Sequence, residues 1–146
     1  MTRREMMAAA VALSMAAGAR AEDGKEEAKG AADLKTYLAG IVELLGVNWP
    51  KNRAVNVVCH GHSVPAGYFK TPVVNSFNAY PHLLHRSLKE RFPFAVINVI
   101  VTAIGGEAAD SGERRFKRDV LCHQPDVITI DYALNDRRLG LEKARG

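Results

Sequence analysis

Ser63 ends the cluster Gly61-His62-Ser63, which lies at the end of the apolar run of residues 54–59, one residue (His60) beyond it. A strand that stops at a small residue and turns at a serine exposes that hydroxyl as a nucleophile. In open parallel sheets, ligands and chemistry gather at the carboxyl ends of the strands. Attack by a serine needs a base for its proton and hydrogen-bond donors for the oxyanion that forms. Candidate donors follow two further apolar runs: Gly105-Gly106-Glu107 after residues 95–101, and Ala133-Leu134-Asn135-Asp136 after residues 126–131. Ser63 brings its own N–H, Gly106 a backbone N–H with no side chain in the way, and Asn135 a side-chain amide. Singly, each has a plain structural role: Ser63 as a helix cap, the glycines as a turn, Asn135-Asp136 as the cap of a last helix. Their order and shared placement after strands favour the nucleophilic reading.

The elements that must hold these residues follow from periodicity. Leu34, Leu38, Ile41 and Leu45 recur at helical spacing with Gly46 as a stop, so the spacing predicts an amphipathic helix over 33–45. The run 54–59 is apolar enough to be a strand covered on both faces. Val64-Pro65-Ala66-Gly67-Tyr68 cannot sustain a long helix, and a short turn or loop is expected after Ser63. Pro81 fits the first turn of a helix carrying Leu84, Leu88 and Phe92 and ending before Pro93. Residues 95–101 form the second strand. Asp110 with Glu113 resembles a capping box for a helix that reaches about Cys122. His123-Gln124-Pro125 breaks that helix, residues 126–131 form the third strand, and residues 137–145 read as a helix cut short. Strand, helix, strand, helix, strand, with connections long enough for crossovers, means a parallel sheet with helices on both faces. Three strands are few for that architecture, so the chain reads as the front portion of a larger domain.

At 146 residues the chain holds at most one ordinary domain, and 47% apolar with 25% charged residues is normal for a globular protein. Thr2-Arg3-Arg4, the apolar stretch 6–17 and Ala19-Arg20-Ala21 follow one another as a basic region, a hydrophobic region and a small-residue cleavage site. The chain is therefore divided into a signal peptide (1–21), a solvated linker (22–33) and an α/β domain (34–146), with export to the periplasm or medium. The apolar stretch is too short to span a membrane, and no cysteine follows it closely, so no stable membrane anchor is expected. Cleavage after Ala21 would remove Arg3, Arg4, Arg20 and Glu5 and lower the formal charge from +4 to +2. The basic balance therefore does not point to nucleic acid, and Arg114-Arg115-Phe116-Lys117-Arg118 reads as the wet face of a helix. Cys59 closes one strand whereas Cys122 precedes another. In a parallel sheet that places them roughly 17 Å or more apart, beyond disulfide reach, and two free, mostly buried thiols are expected.

Taken together, Gly61-His62-Ser63-Val64, Gly105-Gly106-Glu107 and Ala133-Leu134-Asn135-Asp136 resemble blocks I, II and III of the SGNH (GDSL-type) hydrolases over residues 53–136. The resemblance implies a three-layer α/β/α, flavodoxin-like parallel sheet, with the first strand between the second and third. It implies Ser63 as the nucleophile, Gly106 as an oxyanion-hole amide (Gly105 being the register alternative) and Asn135 as the side-chain donor. It also implies hydrolysis of small acyl esters of sugars, lipids or other small molecules, with no metal or organic cofactor. Two positions depart from the family pattern: His62 stands for its Asp and Ala133 for its Gly. The family's base comes from an Asp-x-x-His that these 146 residues do not contain. His60 and His62 flank Ser63 without an evident carboxylate to orient them, His82 and His85 fall on a helix, and His123 falls at the far end of the sheet. None is expected to be the base, and His60 with His62 at i, i+2 make a poor zinc pair. Without the base, and with the apolar edge at residues 126–131 uncovered, this stretch alone is expected to be nearly silent and marginally stable. The alternative is a flavodoxin-like module that binds a ligand without turnover, or a truncated remnant.

Overall fold

The computed structural model describes residues 32–33, 35–137 and 140; the signal segment, most of the linker and nearly all of the expected final helix lie outside them. Strand β1 (Ala54–Gly61) forms the centre of a three-stranded parallel sheet, flanked by β4 (Val96–Val101) and β5 (Val127–Asp131). Its centrality follows from its composition. Val55, Val57, Val58 and Cys59 are all almost inaccessible to solvent, and burying each valine contributes about 1.5–3 kcal/mol. Ala54 pairs with Val96, and Gly61 with Asp131, so the three strands run out at one end of the sheet.

Helices cover both faces, completing the three layers that the sequence predicts. Helices α1 (Ala39–Leu45) and α3 (Tyr80–Arg91) bring Ile41, Leu44, Leu45, Leu88 and Phe92 against Val55, Ala95, Ile97 and Val99. Side chains alternate across a strand, so His60 points the other way and meets Phe116 of α4 (Ala109–Asp119), their rings 5.6 Å apart. Pro81 lies in the first turn of α3, which ends before Pro93. At the amino ends of the strands, Arg53 bridges Asp126, whose carboxylate also accepts the Asn56 N–H at 2.8 Å.

Local chemistry moves several boundaries. Helix α1 begins at Ala39 rather than 33; before it, Asp33 accepts hydrogen bonds from the Lys35 N–H and the Thr36 hydroxyl, each at 3.0 Å, and holds a series of turns. After Ser63 the chain forms the short helix α2 (Ser63–Ala66), then a small antiparallel hairpin of β2 (Tyr68–Lys70) and β3 (Val73–Val74). Asp110 does not cap α4: Ala108 holds that position, and the free Ala109 N–H donates to the Asp136 carboxylate at 2.8 Å. A single 3₁₀ turn (Leu121–His123) follows α4. Both cysteines are free, Cys59 buried as expected but Cys122 exposed on that turn.

Candidate active site

Gly61 makes the first turn possible. A Cβ there would come within 2.4 Å of the Asp131 carbonyl oxygen and 3.0 Å of Pro65 Cγ, because β1 and β5 close tightly at their ends. The His62 N–H donates to that Asp131 carbonyl at 3.0 Å, and on the other side the Ile104 N–H donates to the Gly61 carbonyl at 2.9 Å. The Gly61-His62-Ser63 turn is thus held between the segments that lead to Gly106 and to Asn135. Ser63 opens α2, so its N–H belongs to the first helical turn, where donors have no intrahelical acceptor.

His62 occupies the N-cap of α2, and its Nδ1 accepts the Val64 N–H at 3.2 Å, as a capping carboxylate would. The same nitrogen lies 3.3 Å from Ser63 Oγ. Because Nδ1 accepts, the ring carries its proton on Nε2, which is 3.3 Å from Asp131 Oδ1. The approach is close yet misaligned for a hydrogen bond, leaving buried Nε2 without one among the described residues. No carboxylate beside His62 is evident in the sequence; the fold supplies Asp131. Asp131 reaches it through the β1–β5 register, 69 residues along the chain.

The second and third clusters meet directly. Gly105 lies beneath the Tyr68 ring, which a Cβ would approach to 3.0 Å, whereas Gly106 faces open space at φ +81°, a conformation that favours glycine. Asn135 sits in helix α5 (Ala133–Asp136), and its Nδ2 donates to the Glu107 carbonyl at 2.8 Å. That bond takes one of the two amide protons and leaves the other available.

Beneath this surface lies a polar cluster that sequence reasoning missed. Arg115, only 8% exposed, donates through Nε to both carboxylate oxygens of Glu107 (2.8 and 3.0 Å) and through Nη2 to Oε2. Its Nη1 reaches the Thr102 carbonyl at 2.6 Å and Asp119 at 3.3 Å. The basic run is therefore not uniformly a wet face: Arg114 and Arg118 are exposed, but Arg115 turns inward. The Tyr132 hydroxyl donates to Glu107 Oε2 at 3.1 Å and accepts from His60 Nε2 at 3.0 Å. That leaves His60 Nδ1 to accept the Thr102 hydroxyl at 2.8 Å. The one sequence signal was Gly112 in mid-helix: any Cβ there would sit 2.1 Å from the Tyr132 oxygen.

Electrostatics follow the geometry. Hydrogen bonds from Arg115 hold the Glu107 carboxyl below its ordinary range, and burial pushes the Tyr132 phenol up. Burial, then the Arg115 charge, hold His60 below the ordinary 6.5, opposed by the Gly112 carbonyl 3.3 Å from Nε2 and then by Glu107 and Asp119. Below about pH 6.5 the unfolded chain therefore binds a proton at His60 that the folded state resists, so stability falls as the pH drops through that value. The melting temperature is expected to be lower at pH 5.5 than at pH 7.5, with the difference reduced in His60→Gln. An equal difference in that variant would locate the acid sensitivity elsewhere.

Ser63, Gly106 and Asn135 thus lie on segments tied together at one end of the sheet, while His82 and His85 lie on α3 and His123 precedes β5. No curated protein matches this sequence. In fold, the chain is similar to a two-domain esterase active on acetylated mannans in a crystal structure with mannopentaose. The TM-score is 0.60 at 24% identity, covering 68% of this chain and 25% of that one. A second structure of an esterase so described gives 0.57 at 23% identity, covering 65% and 24%. A lipase/acylhydrolase from Enterococcus faecalis matches at 0.47 and 24%, covering 56% and 40%. The chain spans about a quarter of the length of the mannan-active esterase. Residues 59–145, which carry all three clusters, match the model of the GDSL-like lipase/acylhydrolase family. With the α/β sheet, the strand-end serine and that match in agreement, the chain belongs to the GDSL-like lipase/acylhydrolase family.

Proposed function

We propose that this chain carries the nucleophile and oxyanion-binding part of a serine esterase acting on small carboxylic esters, acetyl or short acyl. The observation that supports it most is the meeting of the three strand ends: the Ser63 turn lies between the Ile104 and Asp131 segments, and Asn135 is bonded to the residue after Gly106. Ser63 Oγ attacks the ester carbonyl and its proton passes to a base. The carbonyl oxygen, now negative, is met by the N–H groups of Ser63 and Gly106 and by the remaining Asn135 amide proton. Collapse of the tetrahedral intermediate breaks the ester C–O bond and expels the alcohol, which takes the proton back from the base. Water, giving a proton to the base in turn, then releases the acyl group as the acid, and the serine regains its proton. These are fixed dipoles aimed where charge develops, so they act without reorganising.

The test is labelling of the intact enzyme with a fluorophosphonate, followed by peptide mapping. Modification at Ser63 together with hydrolysis of an activated acetyl ester is expected; modification at another serine overturns the assignment. Asn135→Ala is expected to lower kcat by roughly 10²–10³-fold, and an unchanged kcat would remove Asn135 from the oxyanion hole. Acetylated mannan, on which the structural neighbour acts, is one substrate to compare with simple acetyl and longer acyl esters. We further propose that the protein is exported with cleavage between Ala21 and Glu22, as the succession of basic, apolar and small residues implies. Mass spectrometry of the mature protein should find Glu22 first; an intact Met1 would overturn export by this route.

A further inference from the structure

We propose that the buried cluster of Arg115, Glu107, Tyr132 and His60 is the positioning device of the oxyanion hole. It fixes the turn that carries Gly106 and, through the Glu107 carbonyl, the amide of Asn135. The inference rests on the reading of Ser63, Gly106 and Asn135 as nucleophile and donors.

Four observations carry it. Glu107 follows Gly106 directly, and its carboxylate is gripped from below by three nitrogen–oxygen contacts with Arg115. A fork of this kind fixes direction as well as distance. The Glu107 carbonyl is the acceptor that orients Asn135, so one residue governs both donors. All three strand ends join the cluster: His60 from β1, Thr102 just beyond β4, and Tyr132 just beyond β5. Finally, the proton order is forced. A carboxylate only accepts, so Tyr132 must donate to Glu107. His60 Nε2 carries a proton, which Tyr132 and the Gly112 carbonyl at 3.3 Å both require, and the Thr102 hydroxyl then donates to Nδ1 of the neutral ring. The Glu107 carboxylate and the Gly112 carbonyl thus order a chain of donors running back to Thr102. Such a network, fully satisfied and out of solvent, rigidifies what it holds.

None of the four residues need touch substrate; they act through Gly106 and Asn135. Glu107→Gln keeps the shape and removes the charge that Arg115 grips, and Tyr132→Phe removes a single hydroxyl. Activity is read as kcat per fluorophosphonate-titratable Ser63 in the intact enzyme, so loss of folded protein does not enter. Displaced donors are expected to lower kcat by roughly 10–100-fold in Glu107→Gln, and by a smaller factor in Tyr132→Phe, with KM within about twofold. In an Asn135→Ala background the Glu107→Gln loss should shrink, because the two then act through one group. Arg53→Gln, which breaks the Asp126 bridge at the opposite end of the strands, should lower stability and leave kcat unchanged. Lowered melting temperatures with unchanged kcat in both cluster variants would overturn the proposal. If wild-type Ser63 takes no label, the nucleophile reading fails, and amide exchange at Gly106 decides the positioning role by itself. Faster exchange in Tyr132→Phe upholds the role, and equal exchange overturns it.

Discussion

In the intact enzyme with its base, Ser63→Ala is expected to lower kcat on an activated acetyl ester by roughly 10⁴–10⁶-fold, the range seen when a serine hydrolase loses its nucleophile. The loss corresponds to about 5–8 kcal/mol of transition-state stabilisation. It should come without loss of the fold. The substitution keeps the backbone N–H and the Cβ, and the Oγ makes only a long 3.3 Å contact with His62 Nδ1. The cap of α2 is supplied by His62 and not by Ser63, so the helix start survives. Stability should change by no more than about 1 kcal/mol. Activity within tenfold of wild type in a folded variant would show that the nucleophile lies elsewhere.

The largest effect on stability is expected from Arg115→Met. Removing the guanidinium leaves the Glu107 carboxylate, 9% exposed, with the Tyr132 hydroxyl as its remaining side-chain donor. Breaking one side of a buried pair costs about 3–5 kcal/mol because the other charge is stranded. Against a total of roughly 5–15 kcal/mol for an ordinary domain, that loss alone unfolds much of the population on mild heating. Replacing both partners, Arg115→Met with Glu107→Leu, removes the stranded charge and should recover a large part of the stability. The oxyanion donors would stay poorly placed. Urea unfolding of the single and double variants checks both statements, and a single-variant loss under about 1 kcal/mol would show that solvent reaches Glu107.

The sheet and the serine turn were legible in the sequence because long apolar runs and strand-end glycines leave local signals. The three strands fall within about two residues of their expected limits, and Pro81 marks α3. What was not legible depends on contacts between distant segments. The hairpin strands Tyr68–Lys70 and Val73–Val74 are too short to show a period, so Gly67 and Pro72 read only as turn residues. Asp110 looked like a cap because Asp136, which satisfies the Ala109 N–H, lies 27 residues on. Arg115 was indistinguishable from its basic neighbours until the helix phase turned it towards Glu107. The Asp131 carboxylate comes beside His62 only through the parallel register, which no local pattern encodes.

The central place of β1 has a consequence for how the chain is made. Among the described residues it is the first strand to leave the ribosome, yet both neighbours come much later: Cys59 pairs with Val101 and Val57 with Val127. At about 5–20 residues per second, the 70 positions between Val57 and its β5 partner take roughly 4–14 seconds to synthesise. Until β4 is made, 42 positions after Cys59, residues Val55, Val57, Val58 and Cys59 form a bare apolar, β-prone segment without strand partners. The β5 side of Val57, Val58 and Cys59 stays open for the whole interval, and such segments pair with other chains if left uncovered. The arrangement that shields these residues most completely in the finished fold therefore makes them the segment of the nascent chain with the greatest need of a holding chaperone.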